Sequence, residues 1–193
     1  MYYTPVIRTH TVINTFFNVD IKPKTLVMCD IDNTLIMWSK SRDQFAEQLY
    51  ASYPGGMLAP FFQGLPLVRD MINRSYAEYC ANTPPIPTDY HGFKDLEHRV
   101  KQSGGHVVFV TARWKESDEH TRTQFRMLGF DTNYTIHYTN GSINKGEYIK
   151  RNINTGRYDH CVFIDDAQQV LDSVKNTLPH VQCYKFVANT LSE

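Results

Sequence analysis

Residues 25–34 read Thr-Leu-Val-Met-Cys-Asp-Ile-Asp-Asn-Thr. The run Thr25–Asp30 is continuously apolar until it meets the aspartate, the pattern of a strand buried on both faces of a parallel sheet. Alternation along a strand places Asp30 and Asp32 on one side, just where the strand ends. In an open α/β sheet, ligands bind beyond the carboxyl ends of the strands. Two carboxylates therefore converge on the default site. Without a counter-ion they repel, which costs stability or raises one pKa. A bound divalent cation relieves that repulsion, and an all-oxygen ligand set favours magnesium.

Further runs of the same kind are His106–Thr111 (HVVFVT), Thr135–Tyr138 (TIHY), His160–Asp165 (HCVFID) and Val181–Val187 (VQCYKFV). Helical spacing lies between them. Phe93, Leu96 and Val100 recur every three or four residues before Gly104-Gly105, and Phe125 and Leu128 mark a helix ending at Gly129. Ile149 and Ile153 mark another after Lys145, and Ala167, Val170, Leu171, Val174 and Leu178 form the clearest amphipathic stripe. Alternating strand and helix predicts an α/β fold, a doubly wound, mainly parallel five-stranded sheet with right-handed crossovers.

Residues 38–88 break that rhythm. Phe45, Leu49 and Tyr53 suggest one helix, Pro54-Gly55-Gly56 ends it, and Leu67, Val68, Met71, Ile72 and Tyr76 suggest a second. Thr83–Pro87 (TPPIP) is a stiff connector. This segment reads as a small helical insertion or cap within a single domain spanning 1–193, its aromatics (Tyr50, Tyr53, Phe61, Phe62, Tyr76, Tyr79) serving packing rather than base stacking. The first 24 residues fit no predicted element.

With 193 residues, 41% hydrophobic and 21% charged, the chain is an ordinary globular length and composition. Twenty basic and twenty acidic side chains cancel, which argues against a generic nucleic-acid surface or a polybasic membrane binder. No membrane-length apolar stretch and no secretory pattern is visible, so the expected location is the cytoplasm. Cys29, Cys80, Cys161 and Cys183 show no zinc spacing, and buried thiols are the expectation over disulfides. The eight histidines form no HxH or HExxH, and His106 and His160, opening strands, read as structural.

A second acidic pair, Asp165-Asp166, follows the run CVFI, again at a strand end. A single strand-end Asp is commonly a helix cap, and Asp166 could cap the helix near Ala167. Four aspartates at two strand ends point instead to a shared metal, held by Asp30, Asp32, Asp165 and Asp166. Thr111 ends another strand; its hydroxyl and the next backbone N–H, of Ala112, can hold a phosphate oxygen. Lys145 follows the Asn140-Gly141 turn and opens a helix. It is either a solvated surface charge or, beside the acids, the cation that neutralises a phosphoryl group.

The order strand–DIDNT, strand–Thr, Lys before a helix, then strand–FIDDA resembles the motif series of the haloacid dehalogenase (HAD)-like superfamily of phosphohydrolases, from residue 25 to about 178. Within it the chain resembles the DUF2608-type branch, on LVMCDIDNTLI, on VVFVTAR with a helix ending in LGF, and on the Asn-Gly turn leading to NKGEYI. The resemblance implies a magnesium-dependent phosphatase acting through an aspartyl-phosphate. Asp30 would be the nucleophile and Asp32 the general acid and base. Thr34 would stabilise the loop carrying both and belong, with Thr111, Ala112 and Lys145, to the phosphate-binding set. Magnesium (Mg2+) would be held by the Asp30 carboxylate, the Asp32 carbonyl and Asp165, with Asp166 nearby.

A receiver domain uses similar groups, but with the acidic pair first and the Lys last. No GxGxxG or GxxxxGK[ST] supports a nucleotide-binding fold. A catalytically silent binding module on the same fold, and transfer of the phosphoryl group to an acceptor other than water, are the alternatives. Arg113 either clamps a second anionic group of the substrate or pairs with the acidic segment Glu116–Glu119, and Trp114 is a candidate substrate contact beside it. A short cap predicts an open site and, as partner, a phosphorylated small molecule or the phosphorylated end of a macromolecule. Nothing in the sequence sets an oligomeric state.

Overall fold

Six parallel strands, β1 (Thr11–Ile13), β2 (Thr25–Cys29), β5 (His106–Thr111), β6 (Ile136–Tyr138), β7 (His160–Asp165) and β8 (Gln182–Phe186), form the main sheet of the computed structural model, in the order β1-β8-β7-β2-β5-β6. Residues 10–52, 66–142 and 144–189 are described. The expectation of five strands is corrected to six. The added strand, β1, lies in the lead-in that the sequence pattern left unplaced. It has three residues and sits at an edge, so only Ile13 is buried while Val12 is 63% exposed. That is too short a stretch for a periodicity to register.

β2 is buried along its whole length and β7 along all but its first residue, as central strands must be. From β2 the chain moves to β5 and then β6, and it returns to β7 on the far side of β2 before reaching β8. The order reverses between β2 and β7, which puts a crevice at their carboxyl ends.

Helices cover both faces. On one, Leu26, Met28, Val110 and Phe163 pack with Ile149 of α5 (Lys145–Asn152) and with Val170, Leu171 and Val174 of α6 (Gln168–Thr177). The other face is aromatic. Phe93 of α3 (Tyr90–Gln102) and Phe125 of α4 (Asp118–Met127) meet Phe109 of β5 at 5.9 and 5.0 Å between ring centroids, and Phe16 stacks on Phe186 at 4.6 Å. Each buried phenylalanine is worth about 1.5–3 kcal/mol of transfer free energy. This is a doubly wound, Rossmann-like α/β architecture. Among the described residues no helix is long and apolar enough to cross a membrane. Cys29, Cys161 and Cys183 are buried free thiols. His160 joins Thr25 Oγ1 at 3.1 Å to Gln182 Oε1 at 2.9 Å across three strands.

The chain divides into two compact units, residues Met37–Ile86 and the remainder. The smaller holds α1 (Arg42–Ser52) and α2 (Pro66–Asn82). Phe45, Tyr76 and Tyr79 pack ring to ring at 5.3–5.8 Å, and the Trp38 indole N–H donates to the carbonyls of Cys80 and Thr83 at 3.2 Å. The chain passes between the units through β3 (Ile36–Met37) and β4 (Ile86–Pro87), which pair with each other. Tyr53, Pro54-Gly55-Gly56, Phe61, Phe62 and the Leu67 side chain lie outside the described residues.

Candidate active site

Pairing of β2 with β7 brings the two acidic motifs together. Cys29 is in register with Ile164, and the Asp30 N–H donates to the Ile164 carbonyl at 2.9 Å, so Asp30 and Asp165 leave adjacent strands side by side. Asp30 is 6% and Asp165 1% exposed; Asp166 is half-buried. Carboxylate oxygens of Asp30, Asp165 and Asp166 all lie within 4.8 Å of one another. Asp166 is not the cap of α6. The Ala167 N–H is taken instead by Asp165 Oδ1 at 2.9 Å.

Lys145 joins this acid group from the start of α5. Its ammonium donates to Asp30 Oδ1 and, at 2.9 Å, to Asp165 Oδ2. At 3% exposure it is no solvated surface charge. Local structure delivers it there. Asn140 and Gly141 both have positive φ, 52° and 80°, which turns the chain tightly after β6. Asn144 then caps α5, its side chain accepting from the Glu147 N–H and from the Ser173 hydroxyl. A β-carbon at Gly146 would lie 2.4 Å from the Ser173 carbonyl oxygen. Only glycine lets α5 approach α6 closely enough to send Lys145 inward.

The electrostatics follow from burial. Desolvation pushes Asp30 up to about 7; the charges of Asp165 and Asp32 add to this and Lys145 opposes it. Burial likewise raises Asp165 against the pull of Lys145, and raises Asp166 to about 6 with help from the Asp30 charge. Burial works against the Lys145 ammonium, but Asp30 and Asp165 outweigh it and hold its pKa above the usual range. Burial, helped by the charges of Asp30 and Asp165, also pushes the Cys29 thiol well above its usual range.

The loop after β2 is tightly folded. The N–H groups of Leu35 and Ile36 both donate to the Ile31 carbonyl, and Asn33, at φ 61°, donates to the Ile36 carbonyl at 2.7 Å. Thr34 is fully buried. Its carbonyl accepts from the Thr88 hydroxyl at 2.5 Å, while its own hydroxyl has no hydrogen-bond partner among the described residues. Thr34 thus ties the loop to Thr88 through its backbone. Thr111 is fully buried at the end of β5, and its hydroxyl accepts from the Arg113 N–H at 3.2 Å. The Ala112 carbonyl accepts from Gly141 at 2.7 Å, which joins the loops after β5 and β6.

Arg113 pairs with Asp32 and not with the acidic segment Glu116–Glu119. Its guanidinium grips the Asp32 carboxylate, Nη2 to Oδ1 at 2.7 Å and Nε to Oδ2 at 3.0 Å. Nη1 donates to Thr121 Oγ1 at 2.9 Å and Gln124 Oε1 at 2.7 Å, so α4 offers it neutral groups rather than the acids Glu116–Glu119. Sequence reading missed Thr121 and Gln124. The signal was there, because the two lie three residues apart on the face that buries Phe125, where an apolar helix stripe has no need of polar side chains. The Asp32 side chain stands outside the trio of acids. Trp114 is 62% exposed beside the Asn140-Gly141 turn.

No family model and no curated protein matches the chain. Among solved structures, the Legionella pneumophila effector Ceg4, carrying an N-terminal yeast Hog1p sequence, is similar at 16% identity over 90% of this chain and 92% of that one, with a TM-score of 0.47. Ceg4 with an N-terminal TEV protease cleavage sequence is similar at 17% identity over 90% and 91% of the two chains, with a TM-score of 0.43. The Pnkp1/Rnl/Hen1 complex is similar at 17% identity over 94% of this chain and 52% of that one, with a TM-score of 0.47.

Proposed function

We propose that the protein is a magnesium-dependent phosphatase of the HAD-like superfamily that hydrolyses a phosphomonoester through an aspartyl-phosphate on Asp30. The observation that carries this reading is the meeting of Asp30, Asp165, Asp166 and Lys145 at the carboxyl ends of two adjacent strands.

The residues fit a hard divalent cation. Three carboxylates within 4.8 Å offer only oxygen donors. Four aspartates against Lys145 and Arg113 leave two negative charges when all are ionised, the charge one such ion cancels. Asp30, Asp165 and Asp166 would hold it, and there it would lower the repulsion between the Asp30 carboxylate and the phosphoryl oxygens.

Lys145 occupies Asp30 Oδ1, which leaves Oδ2 for attack on phosphorus. The Oδ2–P bond forms as the P–O bond to the leaving group breaks, and Asp32 gives that oxygen its proton. Water then attacks the aspartyl-phosphate at phosphorus. It passes a proton to Asp32, the Oδ2–P bond breaks, and inorganic phosphate leaves. Lys145, Thr111 and the Ala112 N–H would hold the phosphoryl oxygens. To carry a proton, Asp32 must release one oxygen from Arg113.

That grip on Asp32 is the observation favouring a second reading, a module that binds metal and phosphate without turnover. Phosphate release from a panel of aryl and alkyl phosphates separates the two. Turnover that needs magnesium and is lost in Asp30→Asn supports the phosphatase. Magnesium and phosphate binding with no release from any substrate supports the silent module. Phosphate appearing on an added alcohol would identify a phosphotransferase.

A further inference from the structure

We propose that Trp114 is a platform for a flat ring on the substrate, so that the favoured substrates are phosphomonoesters with an aromatic or heteroaromatic ring close to the phosphoryl group. This rests on the phosphatase reading and names its substrate class.

A solvent-facing indole is an unusual use of the residue; the chain's other tryptophan, Trp38, is only 5% exposed. Trp114 is 62% exposed, yet the peptide that follows it is pinned at both its oxygen and its N–H. Its carbonyl accepts from the Ser117 N–H at 3.0 Å and the Ser117 hydroxyl at 2.6 Å, and the next N–H, of Lys115, donates to Asn140 Oδ1 at 3.0 Å. The indole is backed on one edge by the turn, where a β-carbon at Gly141 would lie 3.6 Å from Trp114 Cζ2. It is a presented surface, fixed at its base and open to solvent.

Its neighbours place it at the rim of the site. Arg113, immediately before it, holds Asp32, the proposed proton donor to the leaving group. The Gly141 turn behind the indole leads into Asn144 and Lys145, which holds the proposed nucleophile. Two residues of extended chain span at most about 7 Å, so the Trp114 backbone stays within that distance of Ala112, whose N–H is assigned to the phosphoryl group. A leaving group pointing out of the crevice extends over the same span. An indole accepts a phenol ring or a nucleobase alike, because stacking needs only a flat π-face.

The test compares kcat/KM for phenyl phosphate, a nucleoside 3′-monophosphate and a ring-free alkyl phosphate in the wild type, Trp114→Ala and Trp114→Phe. The expected result is that Trp114→Ala lowers the preference for ring-bearing over ring-free substrate about tenfold, the size of one lost stack, and that Trp114→Phe restores most of it. A loss confined to the nucleotide, or to phenyl phosphate, identifies which ring is natural; either supports the platform. An unchanged preference, including an equal fall on all three substrates, overturns it and makes Trp114 a prop for the turn before Lys145. Should the wild type release no phosphate, the phosphatase reading fails, and indole fluorescence decides the platform alone. Stronger quenching by phenylphosphonate than by methylphosphonate, absent in Trp114→Phe, keeps it as a binding surface; equal quenching overturns it.

Discussion

Arg113 and Asp32 form a two-pronged ion pair across the carboxyl ends of β5 and β2, with N–O distances of 2.7 and 3.0 Å, and α4 braces the arginine from behind through Thr121 and Gln124. In the proposed mechanism Arg113 therefore positions Asp32. Burial works against its charge, and Asp32 outweighs that cost. Only a planar guanidinium can make both bonds at once.

Arg113→Lys is therefore expected to behave much like Arg113→Ala, each lowering kcat by about 10²-fold, the usual range for a misplaced acid–base group. Steady-state kinetics on an aryl phosphate checks this. Because the two residues act as one unit, Asp32→Asn combined with Arg113→Ala is expected to be no slower than Asp32→Asn alone. A double variant slower by the product of the two single effects would mean that Arg113 acts independently of Asp32.

Asp30→Asn is expected to abolish turnover and, without metal, to stabilise the protein in a pH-dependent way. Asp30 titrates at about 7 in the folded chain against 3.8 without the fold, and Asp166 at about 6. The folded state thus holds these protons more tightly. The stability they contribute is full below about pH 4 and is lost as pH rises through 6 to 7. At pH 8 the variant should melt about 3–6 °C above the wild type, roughly 1–2 kcal/mol for a chain of this length, and at pH 4 the two should coincide. Magnesium should raise the wild-type melting point more than the variant's. Thermal melts at the two pH values, with and without the ion, check all three statements.

Lys145→Met removes the cation that two buried aspartates share. Leaving buried charges without their partner costs about 3–5 kcal/mol. Urea unfolding is expected to show a loss in that range at pH 8 and a smaller one at pH 5, where the carboxyls take up protons. Magnesium should restore part of the stability but not the activity.

Gly146→Ala tests how Lys145 is aimed. The added methyl would press on the Ser173 carbonyl at 2.4 Å, and one of the two helices must move. Overpacking of this kind costs about 1–3 kcal/mol. The expected outcome is a fall in kcat on an aryl phosphate larger than that loss of stability explains, because the start of α5 carries Lys145. A variant with wild-type kcat would show that the spacing of α5 and α6 does not set the lysine.

The strand ends were legible because hydrophobic runs halted abruptly at Asp30 and Asp165, and a parallel sheet leaves few ways to arrange such strands. Register then brought the two together by backbone pairing alone. β1 was not legible, since three residues at a sheet edge carry no periodicity and gain their order from β8. The partner of Arg113 was hidden for a different reason. Asp32 lies 81 residues earlier, and nothing local distinguishes an arginine aimed at a neighbouring strand from one aimed at a substrate. The burial of Lys145 was equally unreadable, because it depends on the close approach of two helices at Gly146.

The most direct test of the account is to mix the protein with magnesium and acetyl phosphate, quench in acid, and map the modified peptide by mass spectrometry after borohydride trapping of the acyl-phosphate. Homoserine at position 30, lost when the sample meets alkali before reduction and absent in Asp30→Asn, is the expected result. Phosphate released from a phosphomonoester with no acyl-phosphate at Asp30, or with one on another aspartate, would contradict it.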